Sequence, residues 1–358
     1  MDSKSSETKD VRRRSQPTID DVAIAAGVST ATISRALNQP DRVSAKTRAR
    51  VLDAVERLGY LPNFSAQALA ASRTGTVGAI IPTMENAIFA RGLQAFQEEL
   101  GEHGFTLLVA SSSYHPELEA EQVRSLVARG VDALMLIGTD RDSQVYRYLE
   151  TRSVPLITAW SFREDGEAPS VGFDNRAAME ALTRRVLALG HRQIGIISAP
   201  RAHNDRARER VIGALAAIQA AGLDEDAVPI VEVNYSIANG SKALGQLMAE
   251  AKPPTAVMCG NDVLAVGALG RAREMGLRVP DDISITGFDD IELAEICSPP
   301  LTTVHVPHRK MGRRAAQLLV DMIAGRDIGD QKPLDVQIVE RSTLASPVGG
   351  PCEDRRIV

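Results

Sequence analysis

The chain has 358 residues, more than one compact core accommodates, and its 44% hydrophobic and 24% charged fractions are those of a folded globular protein. No apolar run is long enough to span a bilayer, and the N-terminal MDSKSSETKDVRRRSQP lacks the apolar stretch of a secretory signal, so a cytoplasmic protein is expected. The net charge of −5 is unevenly spread: residues 1–74 hold 12 Lys/Arg and 8 Asp/Glu, leaving 29 and 38 for the rest, a basic head on an acidic body.

Residues 1–17 read as a polar tail. Thr18 to Asp21 has the spacing of a helix cap with an acidic third helical residue, and Ile19, Val22 and Ala23 share one face before Gly27 stops the helix. Ser29 is placed to cap a second helix, Thr30 to Leu37. Ser44 caps a third, with Val51, Leu52, Val55 and Leu58 as its apolar stripe and Gly59 at its end. Three short helices with a tight turn between the first two predict a helix-turn-helix over residues 18–61. The second helix presents Thr30, Ala31, Thr32, Ser34 and Arg35: small side chains that allow close approach to a major groove, and one guanidinium suited to guanine. Residues 62–74 form a short segment rich in helix formers, too short to be a stable helix alone.

Beyond Gly75, apolar runs (Val77–Ile81, Thr106–Ala110, Ala133–Ile137, Pro155–Ala159, Ile194–Ser198, Ile230–Val233, Ala256–Cys259, Ser284–Gly287) alternate with amphipathic stretches such as Ala90–His103, Glu117–Arg129 and Met179–Leu189. That alternation predicts parallel sheets covered by helices, and about eight strands fit two lobes better than one sheet. Ligands of such folds sit past the carboxyl ends of the strands. Asn86, Trp160, Asn204, Arg208, Asn261 and Asp289 occupy or follow those positions. Amide, carboxylate and guanidinium groups with one aromatic plate suit a polyhydroxylated ligand. His203 and Arg206 near Arg208 add an expectation of anionic character, hence a sugar or a sugar acid.

The stretches TIDDVAIAAGVSTATISRALN, RVSAKTRARVLDAVERLGYLPN, SVGFDNRAAMEALTRRVLALGHRQIGII and PPTAVMCGNDVLAVGALGRAREMGLRVPDDISITGFDD, with PPLTTVHVP, resemble the LacI/GalR family of bacterial repressors over about residues 18–343. MENAIFARG and ASSSY resemble its gluconate-sensing branch. The resemblance implies an all-α helix-turn-helix domain with a hinge helix, then a two-lobed α/β periplasmic-binding-protein-like domain (residues 75–343) with two parallel sheets and flanking helices, and a C-terminal tail (344–358). It implies a homodimeric repressor on a pseudopalindromic operator, with Thr30 and Ala31 setting specificity and Arg35 a base contact. Thr18, Ser29, Thr32 and Asn38 would lie near phosphates. Leu69 would enter the minor groove, with Ala66 facing the partner's hinge helix. Arg208, Asn261 and Asp289 would contact the effector, and Asn86, Ile88 and Phe89 would line the opposite lobe, where the family often has Pro-Phe in place of Ala87-Ile88.

Other functions fit less well. A transport receptor shares the two-lobed body but needs a secretory signal and has no helix-turn-helix. For an enzyme, no Gly-x-Ser-x-Gly, P-loop, GxGxxG or HExxH arrangement occurs, and Asp289-Asp290 reads as a ligand contact plus a cap. Cys259, Cys297 and Cys352 have no metal-ligand spacing, so neither cofactor nor metal is expected. Ser342 to Val358 carries no heptads, and the dimer surface is expected on helices of both lobes, including Ala90–Glu99.

Overall fold

A computed structural model describes residues 17–61, 73–85 and 87–347. The hinge residues Ala66 and Leu69, the cleft candidate Asn86, Cys352, and most of the N- and C-terminal tails lie outside the described residues, as does the side chain of Asn38. The chain divides into two units at Thr74/Gly75.

Among its described residues the first unit holds helices α1 (Ile19–Ala26), α2 (Thr30–Asn38) and α3 (Ala45–Leu58), with a 3-10 turn at Pro40–Arg42. Thr18 and Asp21 form a reciprocal capping box: the Asp21 backbone N–H donates to the Thr18 hydroxyl (3.3 Å) and the Thr18 N–H donates to the Asp21 carboxylate (2.8 Å). Gly27 closes α1 at φ 61, a left-handed backbone only glycine adopts without a Cβ penalty. Ser29 and Ser44 cap α2 and α3 by accepting the N–H groups of Thr32 and Thr47, each at 3.2 Å. Val22, Ala26, Ile33, Ala36, Val51, Ala54 and Tyr60 form the core. Leu52 departs from the expected stripe: it is 44% exposed, because one residue past Val51 turns the helix about 100° away from the core.

In the second unit, one lobe carries a parallel sheet in the order β2-β1-β3-β4-β5: β1 (Thr76–Ile81), β2 (Thr106–Ser111), β3 (Ala133–Ile137), β4 (Leu156–Ala159) and β5 (Ser170–Val171). Its helices are α4 (Ala87–Glu102), α5 (Pro116–Ala128) and α6 (Ser143–Thr151). The other lobe carries a parallel sheet ordered β7-β6-β8-β9, from β6 (Ile194–Ser198), β7 (Ile230–Glu232), β8 (Ala256–Cys259) and β9 (Ser284–Thr286). It is flanked by α7 (Asn175–Ala188), α8 (Asp205–Ala220), α9 (Ile237–Leu247), α10 (Asp262–Glu274) and the short α11 (Glu292–Ile296). The chain then returns through β10 (Thr303–His305), and α12 (His308–Ile323) packs against α4 of the first lobe. β11 (Gln337–Val339) pairs antiparallel with β10. Among the described residues no helix is long and apolar enough to cross a membrane.

The sheet interiors are apolar on both faces, as parallel strands under helices require: β1, β3, β6 and β8 are buried along their whole length. The edge strand β2 is only half-buried. The α4–α12 crossing is set by two glycines, since a Cβ on Gly312 would lie 2.0 Å from the Gly92 carbonyl oxygen.

Candidate functional site

On the first unit, α2 turns Ile33 and Ala36 inward and leaves Ala31, Ser34 and Arg35 exposed, with Thr30 and Thr32 half-buried. The Thr32 hydroxyl is engaged with that of the capping Ser29 at 2.9 Å. Arg42, Lys46, Arg48, Arg50 and Arg57 are exposed on the same small unit. A helix with small outward residues, one guanidinium and flanking cations offers base-edge contacts supported by phosphate contacts.

In the body, a cavity of about 710 Å³ opens between the lobes, at the carboxyl ends of β1 and β2 on one side and of β6, β7 and β8 on the other. Thr83, Met84, Glu85, Ser111, Ser113, Tyr114 and His115 line it from the first lobe, and Ala199, His203, Asn204, Asn234, Tyr235 and Val263 from the second. Seven described non-glycine residues have positive φ; six of them (Ser113, Tyr114, Trp160, His203, Asp289, Asp290) follow the ends of β2, β4, β6 and β9. Such backbone costs on the order of 1–3 kcal/mol per residue and clusters where a site, not the sheet, dictates the conformation.

Deeper in the second lobe lies a charged cluster. Arg210 on α8 donates to Asn175 Oδ1 (2.9 Å), to the Gly260 carbonyl (2.6 Å) and to Asp289 Oδ1 (3.3 Å), with its guanidinium 3.7 Å from the centroid of the Phe288 ring. Asp289 is fully buried, and its Oδ2 has no hydrogen-bond partner among the described residues. Asn261 caps α10 by accepting the Leu264 N–H (2.9 Å), which leaves its equally buried Nδ2 without a partner. Beside them Asp262 accepts the Thr303 hydroxyl (2.6 Å) and the Ile291 N–H (2.8 Å). Burial, and then the charge of Asp289, push the Asp262 carboxyl up to about 8. Burial raises the Tyr114 and Tyr235 hydroxyls above the ordinary tyrosine value, in the direction of the uncharged phenol.

The lobes also meet through α8. Asp205 Oδ2 accepts the Thr139 N–H (2.8 Å), the Thr139 hydroxyl (3.1 Å) and the Ser161 hydroxyl (2.8 Å), all from the first lobe, while its Oδ1 pairs with Arg206 (2.7 Å). Burial raises the Asp205 pKa, and the Arg206 charge with these donated hydrogen bonds outweighs it, holding the carboxyl below its ordinary value. At the rim Arg208 pairs with Asp140 across the lobes at 2.6 Å.

Several expected cleft residues stand elsewhere. Asn204 does line the cavity, and its Oδ1 accepts the Ala207 N–H at 3.4 Å. Arg208 faces Asp140, and the guanidinium beside Asp289 belongs to Arg210: at 100° per residue, Arg206 and Arg210 lie near one face of α8 and Arg208 some 200° from Arg206. Trp160 is 1% exposed and does not line the cavity. Its indole N–H donates to His308 Nδ1 (3.1 Å), and its ring fills the notch over Gly92, where a Cβ would fall 2.4 Å away. Phe89 packs edge-on to that indole at 5.5 Å, and Ile88 is likewise core. The aromatic walls are instead Tyr114 and Tyr235, whose rings meet across the lobes at 6.2 Å.

A helix-turn-helix unit joined to a two-lobed α/β receptor with a polar cleft defines a ligand-controlled DNA-binding regulator. The model for "Bacterial regulatory proteins, lacI family" matches residues 18–63, and that for "Periplasmic binding protein-like domain" matches residues 183–344. The chain is 33% identical over 338 residues to the HTH-type transcriptional repressor CytR of Escherichia coli (strain K12), covering 94% of this chain and 99% of that one. It is 30% identical to the HTH-type transcriptional regulator GntR of the same strain, covering 88% and 95%. The crystal structure of the Lac repressor dimer bound to operator and the anti-inducer ONPF superposes with a TM-score of 0.83 at 29% identity, covering 92% of this chain and all of that one. The chain belongs to the LacI family of bacterial regulatory proteins: it is a transcriptional repressor of that family, not an enzyme.

Proposed function

We propose that the protein is a cytoplasmic, homodimeric repressor that binds a pseudopalindromic operator and whose affinity is set by a polyhydroxylated sugar held between the lobes. In that reading Thr30, Ala31 and Arg35 read base edges. Thr18, Ser29, Thr32 and Asn38 lie along the phosphates, and Leu69 with Ala66 completes the operator contact. In the same reading residues 18–61 are the DNA-binding domain, 62–74 the hinge and 75–343 the effector body.

The ligand assignment rests on one observation: among the described residues the buried Asp289 Oδ2 and Asn261 Nδ2 lack partners, an acceptor on the carboxylate that Arg210 holds and a donor on the residue that follows the Gly260 carbonyl, which Arg210 also holds. An unpaired buried polar group costs about 1–3 kcal/mol, and adjacent ligand hydroxyls satisfy both. Tyr114 and Tyr235 offer aromatic faces for the apolar side of a sugar ring.

A neutral sugar is favoured over a sugar acid such as gluconate. Each guanidinium near the cleft is already engaged by a carboxylate: Arg206 by Asp205, Arg208 by Asp140 and Arg210 by Asp289. The acid reading keeps support only from His115 and His203 in the lining. Thermal shift with matched pairs of neutral sugars and aldonic acids separates the two. Stabilisation by neutral members alone is expected; stabilisation by the acids alone overturns the neutral-sugar reading.

A further inference from the structure

We propose a second ligand site on the body, distinct in every lining residue from the interlobe cavity, that takes a small organic phosphate. A groove of about 500 Å³ runs between α12 and the segment that follows it, with Ser170 and Val171 at the end of β5 on its floor. Lys310, Arg313 and Arg314 line one wall and Lys332 the other, against a single carboxylate, Asp330. Lys310 stands three and four residues from Arg313 and Arg314, a spacing at which like charges on a helix repel.

This charge is unusual in its setting. The body carries more acidic than basic residues, and neighbouring cations on and just past α12 are paired, Arg309 with Glu98 and Arg326 with Asp321. Lys310, Arg313 and Lys332, all exposed, enter no hydrogen-bonded ion pair among the described residues, Arg313 meeting only the longer-range charge of Glu98, and Arg314 donates only to the neutral amide oxygen of Gln331. Unpaired cations converging from two segments on a groove of small-molecule size match a dianionic phosphate on a compact carrier. Arginine supplies fork-shaped donors and lysine a point charge. A monoanionic carboxylate leaves most of the positive charge uncompensated.

The groove also touches two of the segments that link the lobes. The Leu334 N–H donates to the Gly172 carbonyl (2.7 Å), tying the segment after α12 to the crossover from β5 to α7. An anion bridging Lys332 to Arg313 fixes that crossover against α12 and thereby biases the interlobe angle.

The test uses the full chain carrying Asp289→Asn, which removes the carboxylate on which the proposed cleft site rests, and repeats the titrations in the native background. Ribose 5-phosphate is titrated calorimetrically against ribose and against sodium chloride of equal ionic strength, with and without Lys310→Gln, Arg313→Gln and Lys332→Gln together. Saturable binding of the phosphate ester but not of ribose in the Asp289→Asn chain, weakened at least tenfold by the three solvent-facing substitutions, is expected. Binding no stronger than the salt control, or equal binding after the substitutions, overturns the proposal and leaves the cleft reading untouched.

Discussion

Arg210 and Asp289, 79 residues apart in sequence, meet in the interior of the second lobe with their nearest charged atoms 3.3 Å apart. The guanidinium holds one carboxylate oxygen and leaves the other without a partner among the described residues, so the pair orients an acceptor instead of neutralising itself completely. Asp289 keeps this position on a backbone of φ 102, with Asp290 beside it at φ 54. Removing one partner of a buried ion pair costs about 3–5 kcal/mol because the other charge stays buried. Arg210→Ala is therefore expected to lower stability by that order in denaturant titration, and Arg210→Lys to fold while binding the effector more weakly. Lysine cannot serve Asn175, Gly260 and Asp289 from one planar fork.

The Asp205 carboxylate joins the lobes through three hydrogen bonds from Thr139 and Ser161. Hydrogen bonds to charged groups are worth about 1.5–3 kcal/mol. The double variant Thr139→Val, Ser161→Ala removes the two hydroxyl donors and is expected to weaken effector affinity at least tenfold, measured calorimetrically, by releasing the lobes from their closed spacing. Gly138→Ala tests the same contact sterically, since its Cβ would lie 2.3 Å from Asp205 Oδ1 on a backbone of φ 74.

Asp262 gives the body a pH dependence of defined sign. Its carboxyl moves from an ordinary 3.8 to about 8 in the fold. The folded state therefore holds a proton that the unfolded state has already lost, and stability falls as pH rises from about 4 to about 8, by at most roughly 1.4 kcal/mol per pH unit from this group. Asp262→Asn keeps the shape and removes the titration. Urea midpoints against pH are expected to flatten across that window in the variant; an unchanged slope assigns the dependence to other groups.

On the DNA-reading unit, Arg35 is exposed on α2 while Ile33 and Ala36 beside it are core. Arg35→Ala is expected to cost about 1–3 kcal/mol of discrimination between operator and scrambled DNA, with the fold of the unit retained. Gel-shift titrations on both duplexes measure it.

Much of this was legible in the chain because its signals are local. Ser29 and Ser44 before their helices, Gly27 and Gly59 after them, and apolar runs such as Ala133–Ile137 and Ile194–Ser198 map directly onto caps and buried strands. Ser170–Val171, Thr303–His305 and Gln337–Val339 were not, being two or three residues long and defined by their partners in space. The cleft was legible as a place but only in part of its membership, Asn204 among its lining residues. Arg210 looks like one of several arginines on α8 until the helix phase is fixed, and Trp160 looks like a ligand plate until Gly92 and His308 are seen to surround it. Tyr114 and Tyr235 follow β2 and β7, where strand-end logic finds them, but only the approach of the two lobes shows that they face one another.

In the proposed mechanism a ligand held at Asp289 controls the operator-binding unit. It is tested most directly by operator affinity measured with and without a stabilising neutral sugar, in the native chain and in Asp289→Asn. The sugar is expected to change operator affinity of the native chain about 5–150-fold, the range of typical allosteric coupling, and to leave operator affinity of the variant unchanged. A variant that responds to the sugar as the native chain does would contradict it.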